Sequence, residues 1–252
     1  MIFNSIMTRN FLLLSAILFL LLPCRGVSQV KSPPTTYSLF VSGGYGNTTS
    51  ANVSDYYNSI VDNYRAAGIP IQTQTSFGPT VIMNAAILFY LLEDIGAGVS
   101  FGYLYSPAFS NYQDYAGIMK IDGAVDAYEV SLKMRYTPVD FGKVSISLSP
   151  QIGVCHTQVQ VTQEVKFNDF QDMNYNWKMT KKGWGPCLQG TVGGSMRLGE
   201  FTIALEAGYR YTGIQVDDQT EETNTGTKNV SQVMDIGLNG FYSLVTIGIN
   251  LR

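Results

Sequence analysis

The sequence has little charge, and the charge it has is not basic. Charged residues make up 14% of the chain, against roughly 25% in an ordinary soluble domain. Lysine and arginine number 16 against 19 acidic residues, for a net charge of −3. A nucleic-acid-binding surface needs clustered positive charge, so we expect no nucleic acid as a partner. Hydrophobic residues nevertheless reach 45%, which predicts that something other than water faces much of the protein.

Long hydrophobic runs are also scarce. Beyond the N-terminal region no stretch of 18 apolar residues occurs, so the sequence predicts no transmembrane helix there. The one long apolar run, Phe11 to Leu22, is too short to cross a bilayer and follows Arg9. A charged front, an apolar centre and small residues at the exit are typical of a cleaved secretory signal. We predict a signal peptide over residues 1–28, cleaved after Ser28, and a single domain over residues 29–252.

Cysteine is rare, with three in the chain. A lipoprotein interpretation would make Cys24 the lipidated residue, but Pro23 directly before it fits that signal poorly. Cys155 and Cys187 remain after the predicted cleavage. An even pair of cysteines in an exported protein permits a disulfide.

What the sequence does contain is a period-two alternation of apolar and polar residues. Successive side chains of an extended strand face opposite sides, so this period predicts β-strands. Eight segments show it: Tyr37–Gly46, Thr80–Leu91, Ile95–Tyr105, Asp126–Thr137, Val144–Thr157, Gly183–Leu198, Phe201–Thr212 and Gly240–Arg252.

The connections between these segments alternate in length. Three are tight turns, whereas the other four are long and fall at one end of the strands: 47–79, 106–125, 158–182 and 213–239. This arrangement resembles the small eight-stranded bacterial outer-membrane barrels, the group of the OmpA membrane domain, OmpX and OmpW. The resemblance implies an all-β fold, an eight-stranded antiparallel up-and-down transmembrane β-barrel with short periplasmic turns and long extracellular loops. It further implies a monomer in the outer membrane that contacts lipid and lipopolysaccharide and is inserted by the outer-membrane assembly machinery.

Alternation alone does not say which face of the strands is inside. A lipocalin-like barrel or a soluble sandwich keeps its apolar residues within. Here the polar faces consist mainly of Gly, Ser, Ala and Thr, which suits a narrow interior. Aromatic residues lie toward both ends of the apolar faces, where amphipathic rings favour the boundary of hydrocarbon and headgroups. They are Tyr45, Tyr103, Tyr105, Tyr128, Trp184, Tyr209 and Tyr211 at the loop end, and Tyr37, Tyr136 and Phe201 at the turn end.

Closure of the barrel explains the last ten residues, SLVTIGINLR. Hydrocarbon offers no hydrogen-bond partner, so every strand edge in a membrane must be paired. We therefore predict that the final strand pairs with the first. In the group the chain resembles, the final strand carries the assembly signal and usually ends in an aromatic residue, whereas this chain ends in Leu251 and Arg252.

Several charged residues share the inward parity of their strands. They form a predicted barrel-interior charge network of Glu129, Lys133, Arg135, Arg197, Glu206 and Arg210. Buried charges need partners, so we expect the two acids to pair with the bases across the lumen. The alternative is that these charges line a narrow pore for small solutes. Cys155 and Cys187 also face inward on neighbouring strands, and we predict a candidate disulfide if the register brings them together.

The lone histidine, His156, has the opposite parity and is predicted to face outward at the rim. Some eight-stranded barrels are lipid hydrolases or acyltransferases with a histidine, a serine and an acid at this level. Thr157 and Gln158 follow His156 instead, so a headgroup-level histidine is favoured. The sequence predicts no enzyme, no catalytic residue, no cofactor and no metal site.

Two loops have features of their own. In the first, Tyr57, Val61 and Tyr64 recur at helical spacing between Ser54 and Gly68, which predicts a helix that lies over the barrel mouth or packs on other loops. The third loop carries lysines and aromatics: Lys166, Lys178, Lys181, Lys182, Phe167, Phe170, Tyr175 and Trp177. This composition predicts either a solvated surface or one that recognises host, phage, lipopolysaccharide phosphate or another protein. We expect a structural or surface-interaction role first, a narrow porin-like channel second and a lipid-modifying enzyme third.

Overall fold

The computed structural model describes residues 36–49, 51–73, 77, 79–169 and 171–251. The predicted signal peptide, its cleavage point and Cys24 lie outside the described residues, as does Arg252.

Eleven strands, one α-helix and one short 3-10 helix make up the described chain. In chain order they are β1 (Thr36–Thr49), α1 (Ala51–Ala66), β2 (Gln72–Thr73), β3 (Thr80–Tyr90), β4 (Ile95–Gln113), β5 (Gly117–Asp140), β6 (Val144–Phe167), the 3-10 helix (Gln171–Met173), β7 (Tyr175–Leu198), β8 (Phe201–Thr212), β9 (Gln215–Thr223), β10 (Gly226–Asp235) and β11 (Asn239–Leu251).

Eight of these strands close into a ring. Antiparallel pairing runs β1-β3-β4-β5-β6-β7-β8-β11 and returns to β1. The closing pair extends from Tyr37 opposite Leu251 to Thr49 opposite Asn239. The predicted eight-stranded antiparallel barrel is confirmed, and so is the pairing of the last strand with the first. Within the ring every strand has a neighbour on both sides, as hydrocarbon requires.

The turns at the lower end are short and depend on glycine in two places. Gly142, between β5 and β6, has φ 84°, and Gly199, between β7 and β8, has φ 65°. Residues with a side chain rarely adopt this left-handed conformation. The Asp140 carboxylate accepts the Gly142 backbone N–H at 2.7 Å, which closes the first of these turns.

At the other end, two of the four predicted long loops are strands instead. The β4–β5 pairing continues to Gln113 opposite Ile118, and the β6–β7 pairing continues to Val165 opposite Tyr175. These strand extensions still alternate, but with the opposite polarity: Val159 and Val161 are buried inside, while Gln158 and Gln160 face outward. These extensions have no outward apolar face by which the sequence would indicate a membrane strand, because their outer face lies above the apolar part of the barrel.

The fourth predicted loop is wrong in the same way. It forms the β9–β10 hairpin, and β9 pairs with the upper part of β7 from Trp184 to Trp177. Strands β4, β5, β6, β7, β9 and β10 therefore continue as one curved sheet above the closed barrel. We call it the extracellular sheet, because its strands replace the loops that were predicted to be extracellular.

The predicted helix of the first loop exists but begins earlier. It starts at Ala51 rather than at Ser54 and ends where predicted, at Gly68 with φ 87°. The Ile69 N–H bonds to the Tyr64 carbonyl at 3.0 Å and the Gly68 N–H to the Arg65 carbonyl at 2.9 Å, the hydrogen-bond pattern of a Schellman C-cap. The additional first turn is held by packing, since Val53 lies one turn before Tyr57 and is equally buried.

Candidate functional site

The outer face of the closed barrel is almost entirely apolar. Side chains such as Leu132, Leu205 and Val41 are 66%, 68% and 65% exposed. Other exposed members of this belt are Leu39, Met83, Ile87, Phe101, Val130, Met134, Ile146, Ile152, Val154, Val192, Met196, Ile203, Val245, Ile247 and Leu251. Water-soluble proteins rarely expose a continuous apolar surface of this size. The belt is therefore the surface that lipid covers. No helix in the described part of the chain is long and apolar enough to span a bilayer.

Aromatic rings border the belt where the sequence predicts them. Near the upper edge Tyr103 and Tyr128 pair at 5.1 Å between ring centroids, and Tyr209 and Phe241 at 4.9 Å. At the lower edge Tyr37 and Phe89 meet edge to face at 5.0 Å. Above the upper girdle most outward residues are polar, beginning with Asp126 and Gln158, although Phe109 is also exposed there. The two girdles thus mark the two interfaces of the membrane.

His156 lies in the upper girdle, facing outward as predicted. Its ring lies 4.5 Å from the Trp184 ring, and Tyr128 is its neighbour on β5. Its Nδ1 is shielded from solvent and has no hydrogen-bond partner among the described residues.

Inside the lumen, at the level of the upper girdle, a buried ion pair joins β5 and β8. The Arg210 guanidinium Nη1 lies 3.0 Å from the Glu129 carboxylate, and both side chains are almost fully buried. The Gln189 amide donates to the same carboxylate at 2.5 Å and accepts from the Tyr242 hydroxyl at 2.9 Å. Additional hydrogen bonds of this kind are what make a buried ion pair tolerable. The structure thus brings Glu129 and Arg210 of the predicted network together.

Three further residues of the network are buried but less completely paired. Arg135 lies 4.9 Å from the centroid of the Phe40 ring and donates to Ser195 at 3.4 Å. Lys133 is also buried. Neither carboxylate oxygen of Glu206 has a hydrogen-bond partner among the described residues. Gly193 makes room for this side chain, since a Cβ there would lie 2.7 Å from Glu206 Cγ.

The sixth predicted member, Arg197, is not part of the network. It lies at the lower rim, 57% exposed, and its guanidinium is 3.9 Å from the Asp140 carboxylate. The prediction is wrong because Arg197 is the penultimate residue of β7, where an inward position opens to solvent.

The predicted disulfide is also absent from the structure. Both Cys155 and Cys187 are buried free thiols. The register places Cys155 opposite Gly185 and Cys187 opposite Gly153, so the two cysteines are diagonal neighbours. Diagonal positions lie about 7–8 Å apart, beyond the usual Cα separation of a disulfide. Arg210 donates to the Cys155 sulfur at 3.4 Å instead.

The upper lumen is filled by an apolar core that sequence reasoning missed. One face of α1, with Val53, Tyr57 and Val61, packs into the concave side of the extracellular sheet. Wall residues of this core include Leu104, Ala108, Met119, Ile121, Val125, Val159, Val161, Met179, Val216 and Ile236. The sequence does indicate this core, because apolar residues occupy inward-facing positions of the segments that were predicted to be loops. The helix is thus seated within the sheet rather than laid across a rim.

Polar contacts fix α1 in this seat. The Tyr57 hydroxyl bonds to Ser110 Oγ at 2.8 Å and to the Ile121 carbonyl at 2.9 Å, and the Gln163 amide donates to the Tyr64 hydroxyl. Burial raises the pKa of Tyr57. The ammonium of Lys181 lies 5.4 Å from the Tyr56 ring, and burial lowers its pKa while Glu221 partly opposes that shift.

Within the described residues, no group of three or more His, Cys, Asp or Glu side chains is arranged to hold a metal ion.

Comparison with known proteins gives matches to solved structures alone. No protein-family profile and no curated protein sequence matches the chain. Ail of Yersinia pestis is 12% identical, with a TM-score of 0.40 over 86% of this chain and 99% of Ail. Neisserial surface protein A is 11% identical, with a TM-score of 0.41 over 85% and 96%. A major outer membrane protein from Thermus thermophilus is 11% identical, with a TM-score of 0.44 over 86% and 100%.

Similarity at this level transfers no role to the present chain. Its own geometry shows the architecture: eight antiparallel strands in a closed ring, an apolar outer belt between two aromatic girdles, and an upper lumen filled by α1. The chain has the fold of a small bacterial outer-membrane β-barrel.

Proposed function

We propose that the protein is an integral outer-membrane barrel whose role is structural or surface interaction at the cell exterior. The observation that carries the proposal is the extracellular sheet, which continues the wall beyond the upper girdle and is filled on its concave side by α1. A conducting pore needs an open lumen at the level of the extracellular sheet. A surface that binds a partner needs a rigid support instead, which the packed α1 provides.

The extracellular sheet projects far into solvent. Strands β4 to β7 continue about ten residues past the girdle, or about 30 Å at the usual rise per residue of a strand. Its hairpin tips are tied together, since the Asn168 side chain donates to the Tyr115 carbonyl at 2.9 Å and the Asn224 side chain to the Asn174 carbonyl at 2.7 Å. Tyr115 at one tip is 93% exposed and Met173 at another is 65% exposed. Exposed aromatic and methionine side chains on a rigid support favour protein contacts.

The proposed orientation is tested by labelling intact cells. With Tyr115→Cys we expect rapid reaction with a membrane-impermeant maleimide, because the side chain is exposed at a tip outside the cell. The matched control is Phe141→Cys in a periplasmic turn, where the side chain is 77% exposed and should react only after the cells are opened. The native Cys155 and Cys187 are buried and should not interfere. The reverse pattern of labelling would overturn the orientation and the surface role with it.

A narrow channel is the second candidate, and the lower lumen favours it. Inward residues there include the small polar Ser42, Ser100 and Ser147 beside the larger Phe40 and Leu88, and the Glu206 carboxylate has no hydrogen-bond partner among the described residues. A conducting path would exist only if α1 left its seat.

Planar-bilayer recording separates the two candidates. We expect the wild-type protein to show no unitary conductance, because Val61 and its neighbours seal the upper lumen. Val61→Asp places a charge at a fully buried position of α1 and should produce conductance steps. Ser59→Asp, on the solvent face of the same helix, is the control and should stay silent. Steps from the wild-type protein would favour the channel and reject the filled-lumen proposal.

The proposal contains no enzymatic step. The cross-strand neighbours of His156 are Tyr128 and Trp184, and neither supplies the serine and the acid that the lipid-hydrolase hypothesis requires.

A further inference from the structure

The outer face of β6 and β7 changes character in three steps near the upper girdle. Val154 faces lipid beside Pro186, His156 lies opposite Trp184, and Gln158 lies opposite Lys182. Consecutive outward positions on one strand are two residues, or about 7 Å, apart. We call these three cross-strand pairs the ladder. From the belt upward the ladder presents apolar, then aromatic and then cationic groups. An anionic lipid presents its acyl chains, its backbone and its phosphate in the same order.

The aromatic step forms an exposed platform. Trp184 is 68% exposed and stacks obliquely on His156 at 4.5 Å between ring centroids. Tyr128, 57% exposed, lies on the other side of His156. Flat aromatic surfaces of this kind, with a polar atom in each ring system, are suited to the headgroup level of a bilayer.

The cationic step is confined to one place on the wall. Lys182 is the one cation among the described outward-facing residues directly above the upper girdle, and its side chain is exposed. Asp126 lies opposite Gln158 on one side of the ladder, and Asp218 lies opposite Lys182 on the other. The Asp126 carboxylate accepts the Tyr103 hydroxyl at 2.6 Å. The Asp126 carboxylate repels an anion on the β5 side of the ladder, which limits an anion there to β6 and β7.

We propose that Gln158, Lys182 and Trp184 form a binding site for the phosphorylated sugar headgroup of an outer-leaflet glycolipid. Lys182 binds the phosphate, the Gln158 amide donates a hydrogen bond beside it, and the Trp184 ring packs against the sugar. The site rests on the proposed outer-membrane location and orientation, which put this end of the barrel at the outer leaflet.

The test uses lipid A as the probe and the full-length mature barrel in dodecyl maltoside, a detergent without phosphate. Binding is followed by native mass spectrometry, which counts retained lipid. We expect Lys182→Gln to bind bisphosphorylated lipid A about fivefold more weakly than the wild type, the effect of one lysine near an anionic surface. Lys178→Gln is the control on the same strand and face, about 13 Å further from the membrane, and should match the wild type.

Two further arms identify the ligand chemistry. Lipid A without phosphates should bind the wild type and Lys182→Gln equally, and phosphatidylglycerol should bind more weakly than lipid A because it offers no sugar to Trp184. Equal binding of lipid A by Lys182→Gln and the wild type would overturn the site, as would an equal loss in Lys178→Gln. Phosphatidylglycerol binding as tight as that of lipid A would overturn the glycolipid assignment. A heat-modifiable gel band for each variant shows insertion separately, so failure of the site leaves the proposed location intact.

Discussion

Replacing Arg210 by Met is expected to lower the free energy of unfolding by about 3–5 kcal/mol, the usual cost of removing one partner from a buried ion pair. The substitution roughly keeps the volume of the side chain but removes the ion-pair partner of the Glu129 carboxylate, whose guanidinium lies 3.0 Å away. The Gln189 amide remains as a donor, but a neutral hydrogen bond does not replace the lost charge. Urea unfolding in lipid vesicles, followed by tryptophan fluorescence, measures the change.

Two variants establish that charge is the cause. The double variant Arg210→Met with Glu129→Gln should recover more than half of the loss, because the orphaned charge is gone. Arg197→Met, which removes the exposed arginine of the lower rim, should cost no more than about 1 kcal/mol. If the double variant were as unstable as Arg210→Met, lost packing rather than an uncompensated charge would be the cause.

The second large effect is expected on the outside of the barrel. Leu132 is 66% exposed in the middle of the belt, between Val99 and Ile152 on the neighbouring strands. A charged residue at the bilayer midplane of a transmembrane barrel costs about 2–4 kcal/mol, whereas surface substitutions in water usually fall within about 0.5 kcal/mol. We therefore expect Leu132→Arg to destabilise the protein in vesicles by about 2–4 kcal/mol, measured by the same unfolding assay.

The matched control lies above the girdle on the neighbouring strand. Gln160 faces outward between Ala124 and Thr180 on the extracellular sheet, so Gln160→Arg should leave the free energy of unfolding unchanged within about 0.5 kcal/mol. If Leu132→Arg were as neutral as Gln160→Arg, water rather than lipid would cover the belt.

The fold was predictable from sequence wherever one face of a strand meets lipid. The starts of β4 at Ile95 and of β8 at Phe201 agree with the predicted segments, because an outward apolar row beside an inward row of small residues is typical of a strand that crosses a membrane. The extensions of β5 and β6 were missed because their polarity reverses once the wall leaves the membrane. Gln158 and Val159 occupy opposite faces there, as they would in any strand, but the apolar one points inward.

Alternation along each strand predicted which residues of the candidate site face the lumen, but not which of them come into contact. Parity placed Glu129 and Arg210 inside, and the structure joins them. It also placed Arg197 and the two cysteines inside, yet Arg197 is at a rim and the thiols are diagonal neighbours. Height along the barrel and cross-strand register decide which inward residues meet. Neither can be predicted from the sequence of a single strand.

By itself the sequence determined the number of membrane strands, which face meets lipid, the closure of the last strand on the first and five of the inward charges. These follow from local alternation and from the rule that no strand edge stays unpaired in hydrocarbon. The tertiary structure alone decided that α1 fills the concave side of the extracellular sheet, that Glu129 pairs with Arg210, and that Gln158 lies opposite Lys182. Those contacts join residues far apart in the chain, so they depend on register and curvature, which arise only when the ring closes.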